Sequence, residues 1–166
     1  MMHKVNIAGV MLDQASKTPI VVLKNLDDDK SIPIWLGITE ASAIASAIQN
    51  IKFDRPMTHD LFKNFISLLN VAVSKVELTD IKNKTCYSKI YFNSKEQIFQ
   101  MDARPSDAIA LALRFNAPIF VDEKIFEKSK PILNTKTSNI NGALNEEKLS
   151  KYLKNLPEQA FGKYKI

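Results

Sequence analysis

A strand passes directly into a helix within one stretch of this chain, Gln97–Phe115, QIFQMDARPSDAIALALRF. The first six residues have the composition of a strand, and either Pro105 or Ser106 is suited to open a helix, since proline fits the first turn and serine caps it. The helix that follows is apolar on nearly every side, so we expect it to be buried. A strand joined to a buried helix predicts a domain of mixed α/β (α+β) class.

Six further segments have the β-branched and aliphatic composition of strands, and polar turns separate them. These turns include Asp27–Lys30, Asp80–Lys84 and Asn93–Glu96. Short polar turns between such strands are typical of hairpins, so we expect a mixed or antiparallel sheet. The predicted strands are Val5–Leu12, Pro19–Leu26, Ile32–Leu36, Val71–Leu78, Thr85–Phe92 and Pro118–Val121.

Three other helices are predicted from apolar residues at helical spacing. The first spans residues 39–50 with Thr39 as its cap, and the second follows Arg55-Pro56 with Thr58 as its cap. The second carries a broad apolar stripe from Leu61 to Leu69. Asp122 is suited to cap a third, short helix that runs through Lys128.

The chain divides into one compact domain, residues 1–130, and a C-terminal extension. Residues 131–145 mix Pro, Asn, Thr, Ser and Gly with few apolar residues, which predicts a flexible linker. Residues 146–166 form a final helix and tail, with Leu149, Tyr152, Leu153 and Leu156 on one face. Such a short, charged helix is marginal alone, so we expect it to dock on the domain or on a partner subunit.

Charge and cysteine content restrict the classes of protein. Residues 1–130 hold 17 Lys and Arg against 15 Asp and Glu, so the net charge of +5 resides largely in the tail and permits a nucleic-acid partner without requiring one. The single cysteine, Cys86, excludes an internal disulfide. The N-terminus has strand-like alternation rather than the pattern of a signal peptide, and no apolar run could span a membrane. We therefore expect a cytoplasmic protein without a membrane partner.

Three of the predicted helix starts place a hydroxyl and then a carboxylate in the first turn: Thr39-Glu40, Thr58-His59-Asp60 and Ser106-Asp107. Capping and the helix dipole explain each one by itself. An arginine is not needed for either effect, yet an Arg-Pro pair precedes two of the three starts, with Arg55 and Arg104. A guanidinium beside carboxylates can bind a phosphate diester or hold the acids in place.

Convergence of these helix starts would favour catalysis. Asp60, Asp102 and Asp107 together could then hold Mg²⁺ or Mn²⁺ through carboxylate oxygens, as in a site that cleaves phosphodiesters. His59 could act as a general base or stabilise a leaving group, although a lone histidine in a first helical turn more often packs or hydrogen-bonds. We interpret Cys86 as a buried structural thiol and Trp35 as a core or interface residue.

Three blocks of this sequence resemble the bifunctional nuclease domain family, in the order and approximate spacing that the family shows. They are IPIWLGITEA at residues 32–41, RPMTHDL at residues 55–61 and DARPSDAIALALR at residues 102–114. The resemblance covers about residues 4–130, and the closing LPEQAFGKY is similar to the tail of some bacterial members. It implies a self-associating α/β domain with divalent-cation-assisted cleavage of DNA and RNA.

Eight polar residues occupy the polar motif positions of the family that the sequence resembles, and we assign a role to each. Asp60, Asp102 and Asp107 are assigned as ligands of Mg²⁺ or Mn²⁺, and His59 or Glu40 as the group that handles the proton. Arg55, Arg104 and Ser106 are assigned to phosphate binding.

Two hypotheses about function follow. The first is a metal-assisted nuclease that hydrolyses DNA and RNA with little sequence preference. The second is a non-catalytic, oligomeric binding or regulatory module whose Arg-carboxylate motifs are structural ion pairs. Under either hypothesis we predict a homo-oligomer, because Trp35, the buried-type helix and the tethered final helix offer more apolar surface than a small domain needs.

Overall fold

Seven strands form one mixed sheet in this computed structural model, which describes residues 1–13, 16–83 and 85–136, with side chains as far as Ser129. The predicted α/β class is confirmed, and so is every predicted strand. The sheet order is β3-β2-β1-β7-β4-β5-β6. The strands are β1 Met2–Leu12, β2 Pro19–Asn25, β3 Ser31–Trp35, β4 Ala72–Lys82, β5 Thr85–Asn93, β6 Ile98–Ala103 and β7 Ile119–Asp122.

Hairpins build the two halves of the sheet, and the short strand β7 joins them. The series β1-β2-β3 and β4-β5-β6 are both antiparallel, as the polar turns predicted. Strand β7 pairs antiparallel with β1 and parallel with β4, where Val76 lies opposite Ile119. Two parallel strands require a long crossover connection between them. The chain between β4 and β7 provides this connection and includes α3, which lies against the sheet.

Within the described residues, four helices accompany the sheet: α1 Ile38–Ile48, α2 Thr58–Leu68, α3 Pro105–Phe115 and α4 Glu123–Lys136. An asparagine in the left-handed conformation follows each of the first three, which is a common way to end a helix. These residues are Asn50, Asn70 and Asn116.

The helix starts differ from the prediction in which residue caps them. Gly37 and Met57 are the N-caps of α1 and α2, so the assignment of Thr39 and Thr58 as caps was wrong. The carboxylate of Asp60 accepts the backbone N–H of Met57, one of the donors that a helix start leaves free. Pro105 is the first residue of α3, as predicted, and the residue before it, Arg104, is the N-cap.

Helix α3 lies at the centre of the molecule. Five consecutive residues from Ala108 to Ala112 are buried, and the helix packs against α1, α2, β4 and β5. The prediction that this helix is buried is therefore confirmed. Its apolar surface is buried in the core of its own chain, so little of that surface is left for a subunit interface.

Helix α4 begins where Asp122 predicts, since the Asp122 carboxylate accepts the N–H of Lys124. It continues to Lys136, beyond the predicted end at Lys128 and through the first six residues of the predicted linker 131–145. Ile125 and Phe126 anchor it in the core, and extending an anchored helix costs little compared with starting one. The rest of the linker and the predicted helix 146–166 lie outside the described residues.

No helix in the described part of the chain is long and apolar enough to cross a membrane.

Candidate active site

The N-terminal ends of α1, α2 and α3 meet at one open pocket. Glu40 comes from the first turn of α1, His59 from that of α2 and Asp107 from that of α3, while Arg104 directly precedes α3. These four residues, which we call the Arg104 cluster, line a cavity of about 340 Å³. The convergence on which the catalytic hypothesis depends is thus present for three helix starts.

Arg104 is the central residue of the cluster, because its guanidinium binds two carboxylates. Its Nε donates to Oδ2 of Asp107 at 2.7 Å and its Nη2 to Oδ1 of the same residue at 3.2 Å. Its Nη1 donates to Oε1 of Glu40 at 3.1 Å. The bidentate pair fixes the plane of the guanidinium, while 67% of the side chain stays exposed to solvent.

His59 joins the cluster through Asp107. Its Nε2 lies 3.1 Å from Oδ1 of Asp107, the oxygen that also accepts from Arg104. Only 17% of the His59 side chain is exposed. A carboxylate bonded to one ring nitrogen fixes the orientation of an imidazole.

Both carboxylates of the cluster are held in the charged form. Burial raises the pKa of Asp107, but the hydrogen bonds from Arg104 and His59 outweigh burial and leave the pKa below its usual value. The pKa of Glu40 is lowered by a bond from its own backbone N–H and by the Thr39 hydroxyl, and then by Arg104. The same contacts raise the pKa of Arg104. The cluster therefore keeps its two negative charges and one fixed positive charge at neutral pH.

Gly37 leaves the space that the Glu40 carboxylate occupies. A Cβ on Gly37 would overlap Oε2 of Glu40, whose side chain would have to move. This role of Gly37 was not predicted from the sequence. The only signal was a glycine directly before a helix start, which reads equally well as a turn residue.

Asp60 belongs to a different arrangement, although it lies one residue from His59. Its Oδ1 accepts from Nε of Arg114 at 2.6 Å. Only 7% of the Arg114 side chain is exposed, and its Nη1 also donates to the carbonyls of Ala43 and Ala110. The Asp60–Arg114 pair therefore ties the three helices together. The prediction did not include Arg114, because an arginine in the last turn of a helix is readily explained by the dipole.

Three other predicted site residues lie apart from the cluster or touch it only indirectly. Asp102 is exposed on the edge strand β6, opposite Lys89. Arg55 is exposed ahead of α2, and within the described chain its side chain has no ion pair. Ser106 is buried in the first turn of α3.

The residues assigned as metal ligands are not brought together. Asp60 is turned toward the buried Arg114, Asp107 is bound by Arg104, and Asp102 is on the exposed edge of the sheet. Among the described residues there is no group of three or more His, Cys, Asp or Glu side chains placed to hold one ion. The three-aspartate centre expected from the sequence is therefore not preformed, because buried packing of Arg114 fixes Asp60 elsewhere.

The comparison with known proteins agrees with the placement of these residues in one domain. The family model described as "Bifunctional nuclease domain" matches residues 21–134, which include all four cluster residues. The chain belongs to the bifunctional nuclease domain family.

Relatives occur in bacteria and plants. An uncharacterized protein of Mycobacterium tuberculosis is 34% identical over 128 residues, which cover 77% of this chain and 76% of the relative. Bifunctional nuclease 1 of Oryza sativa subsp. indica is 29% identical over 116 residues, 68% of this chain and 35% of the relative. Bifunctional nuclease 2 of Arabidopsis thaliana is 25% identical over 123 residues, 71% and 37% respectively. Membership in this family supports a nuclease at the family level.

Proposed function

We propose that this chain is a metal-assisted nuclease that hydrolyses phosphodiester bonds of DNA and RNA with little sequence preference. The observation that carries the proposal is the Arg104 cluster, where an exposed guanidinium and a carboxylate-bound histidine face one open pocket at three helix starts. Helix N-termini and a fixed guanidinium both favour the negative charge of a phosphate.

Arg104 retains donors for a substrate. A guanidinium has five N–H groups, and three of them bind Asp107 and Glu40. One N–H on each terminal nitrogen is left for the non-bridging oxygens of a phosphate. Because the carboxylates hold the guanidinium in place, Arg104 can stabilise the charge that develops on phosphate without reorganising.

His59 is the group best placed to move a proton. Asp107 orients its ring, and stabilises the imidazolium that forms when His59 accepts a proton from an attacking water. The protonated ring can then deliver that proton to the leaving oxygen. In this proposal Glu40 positions Arg104, and Gly37 leaves room for Glu40.

The proposal includes Mg²⁺ or Mn²⁺, bound through fewer protein ligands than the three aspartates expected from the sequence. Mg²⁺ commonly binds through one or two carboxylates, several waters and the substrate phosphate, so three protein ligands are not required. Glu40 and Asp107 are the two carboxylates that already share a cation, Arg104. A divalent ion held there would neutralise charge on the phosphate.

Low sequence preference agrees with the charges of the cluster, because contacts to phosphate carry no base information. The cytoplasmic location predicted from the sequence is compatible with either nucleic acid as substrate.

The test is a cleavage assay of the purified full chain on single-stranded DNA and RNA with Mg²⁺ or Mn²⁺. We expect cleavage of both polymers, and loss of that cleavage with excess chelator that is reversed when the metal is restored. Heat-inactivated protein and a preparation of the Arg104→Gln variant control for contaminating nuclease. The absence of cleavage with every divalent ion tried would contradict the proposal.

The second candidate function is the non-catalytic binding module. The Asp60–Arg114 pair favours it, since the Arg114 side chain is buried and the pair serves packing. If Asp107 were also purely structural, then replacing it would unfold the chain and no activity would exist to lose. Measuring stability and activity on the same variants therefore separates the two functions.

We also propose that the chain self-associates, through a surface other than the one that the sequence suggested. Helix α2 exposes Leu61, Phe65 and Leu68, and its C-cap Leu69 is also exposed. The buried ring of Phe92 contacts Phe62 of α2 and stacks on the exposed ring of Phe99 in β6, which brings the two exposed apolar regions close together. We call the combined surface the α2–β6 face, and it consists of Leu61, Phe65, Leu68, Leu69, Phe99 and Met101. Exposed apolar residues beside an unpaired edge strand are typical of a subunit interface.

Light scattering tests this proposal. At micromolar concentration the wild-type chain should have a mass that is a multiple of 18.7 kDa. Leu68, which is 81% exposed, should tolerate replacement by Glu in a monomer, whereas a buried charge in an interface is costly. We therefore expect Leu68→Glu to yield monomers and Ser67→Glu, on the same helix, to retain the wild-type mass. A monomeric wild type whose mass is unchanged by salt would refute the proposal.

A further inference from the structure

A second groove adjoins the candidate active site. It has a volume of about 740 Å³, within the range of pockets that bind small organic ligands. Glu40 and Arg104 line both this groove and the pocket of the Arg104 cluster. The Glu40–Arg104 ion pair is therefore a wall between two adjoining sites, and a ligand that touches Arg104 can extend into either one.

The walls of the second groove are largely apolar, with hydroxyls added. The end of β3 contributes Ile34 and Trp35, and the β4–β5 hairpin contributes Ile81 and Cys86. The hydroxyls of Thr85 and Ser106 also line it. Apolar and aromatic walls with a few polar residues among them suit a planar heterocycle with polar edges.

Apart from the wall that it shares with the active site, the described lining carries no charged side chain. Burial, and then the nearby Asp80, raise the pKa of the Cys86 thiol to about 11, so the thiol is neutral at pH 7. The structural role predicted for Cys86 agrees with this, because a protonated thiol is a poor nucleophile. A neutral occupant fits this groove better than a phosphate or another ion does.

We propose that the second groove binds a nucleobase of the strand whose phosphate lies at Arg104. This inference rests on the proposed function, since it takes a nucleic acid as the ligand. A nucleotide joins a charged phosphate to a neutral, planar base. The two adjoining sites match these two parts, because Arg104 offers a cation for the phosphate and the second groove offers apolar walls for the base. The side chain of Trp35, predicted as core or interface, becomes a wall of the base site.

The ligand class that follows is single-stranded nucleic acid. A base inside a duplex is stacked and paired, and it must leave the stack before it can enter a pocket. A base in a single strand is already accessible, and contact with apolar and aromatic side chains stabilises it without regard to sequence. The groove therefore favours single strands over duplexes and remains tolerant of sequence.

Trp35 allows this site to be tested without any activity. It is the only tryptophan of the chain, so its fluorescence reports on the second groove. With chelator present to prevent cleavage, we expect an oligomer of dT to quench Trp35 in a saturable manner. An abasic oligomer of equal length keeps the phosphates but lacks the bases, and we expect it to bind at least about tenfold more weakly, on the scale of losing stacked bases.

Variants identify the groove as the site. Thr85 is exposed and lines the groove, so Thr85→Phe should fill part of it without unfolding the chain. We expect Thr85→Phe to weaken dT binding to the level of the abasic oligomer. Asn93→Phe places the same ring on β5 outside the groove lining and should bind like the wild type. A melting curve for each variant verifies folding.

The outcomes separate this inference from the proposed function. Base-dependent quenching that Thr85→Phe removes supports the base site even if no cleavage is found. Cleavage by the Arg104 cluster combined with equal binding of dT and abasic oligomers would overturn the base site and leave the nuclease standing. A lack of any quenching, as expected if another part of the chain covers the groove, would also overturn it. Equal affinity for duplex and single strand would contradict the predicted ligand class.

Discussion

Replacing Arg104 with Gln should reduce the rate of single-stranded DNA cleavage by at least about 100-fold, the usual loss when a charge-stabilising donor is removed from an active site. The reason is that Gln lacks both the positive charge and the donors that remain for phosphate. Arg104→Lys keeps the charge but not the planar, bidentate geometry, so its cleavage rate should lie between those of the wild type and Arg104→Gln. Initial rates at saturating and limiting substrate measure the effect.

Stability should change little in the same variants. Arg104 is mostly exposed, and exposed ion pairs contribute about 0–1 kcal/mol. Lys124→Gln removes a different exposed cation, which is paired with Asp122 and is not part of the lining of the candidate active site, and this variant should cleave like the wild type. If Arg104→Gln kept the wild-type rate, Arg104 would have no part in the reaction.

Replacing Asp60 with Asn should have the largest effect on stability. The substitution leaves the guanidinium of Arg114 buried without its counter-charge, which costs about 3–5 kcal/mol for a fully buried pair. Asp60 is 34% exposed, so we expect about 3 kcal/mol, the lower end of that range. Urea denaturation followed by circular dichroism gives the free energy of unfolding.

Asp102→Asn is the matched control, because it is the same chemical change at an exposed residue of β6. We expect its free energy of unfolding to lie within about 0.5 kcal/mol of the wild type, as for most surface substitutions. Equal stability of the two variants would show that Asp60 is not a packing residue. A catalytic or metal-binding role would then return to it.

The elements of the fold were predictable because they depend on local patterns. The apolar residues of α3 surround the helix, and this alone predicts that other elements cover it. The strand segments likewise carry β-branched residues between polar turns. The parallel pairing of β4 with β7 was not predictable, since it depends on how the crossover packs rather than on either strand.

The cap residues show that local capping preferences do not fix a helix start when two neighbouring starts both fit them. Thr39 and Thr58 are suitable caps, but each helix begins one or two residues earlier than a threonine cap requires. At α2 the carboxylate of Asp60 accepts the backbone N–H of Met57, which is a different free donor from the one a Thr58 cap would bind. Either arrangement satisfies the helix start, so the sequence does not distinguish them.

The candidate site was predictable in its residue types and only partly in its partners. Glu40, His59, Arg104 and Asp107 were all singled out, and they meet. Asp60 and His59 are neighbours in sequence, yet their side chains take different partners, because successive helical residues point about 100° apart. The partner of Asp60, Arg114, lies on another helix, so only the packing of α2 against α3 reveals it.

The sequence-based prediction of self-association relied partly on the apolar helix α3, and its outcome also depended on packing that the sequence does not show. An apolar helix can be covered by its own chain or by a partner, and the sequence pattern is identical in both cases. In this fold the chain itself covers α3. The large apolar residues left exposed include several on α2 and β6.

One measurement tests the central claim most directly: the initial rate of single-stranded DNA cleavage by Asp107→Asn relative to Asp102→Asn, in the presence of Mg²⁺ or Mn²⁺. Both variants lose one carboxylate charge, but only Asp107 contacts Arg104 and His59. We predict that Asp107→Asn is slower than the wild type by at least about tenfold, the scale of losing one such contact, with only a modest loss of stability. Asp102→Asn should remain within about twofold of the wild type, as expected of an exposed residue outside the site. Equal loss of activity in the two variants, or full activity in Asp107→Asn, would contradict the assignment of the Arg104 cluster as the active site.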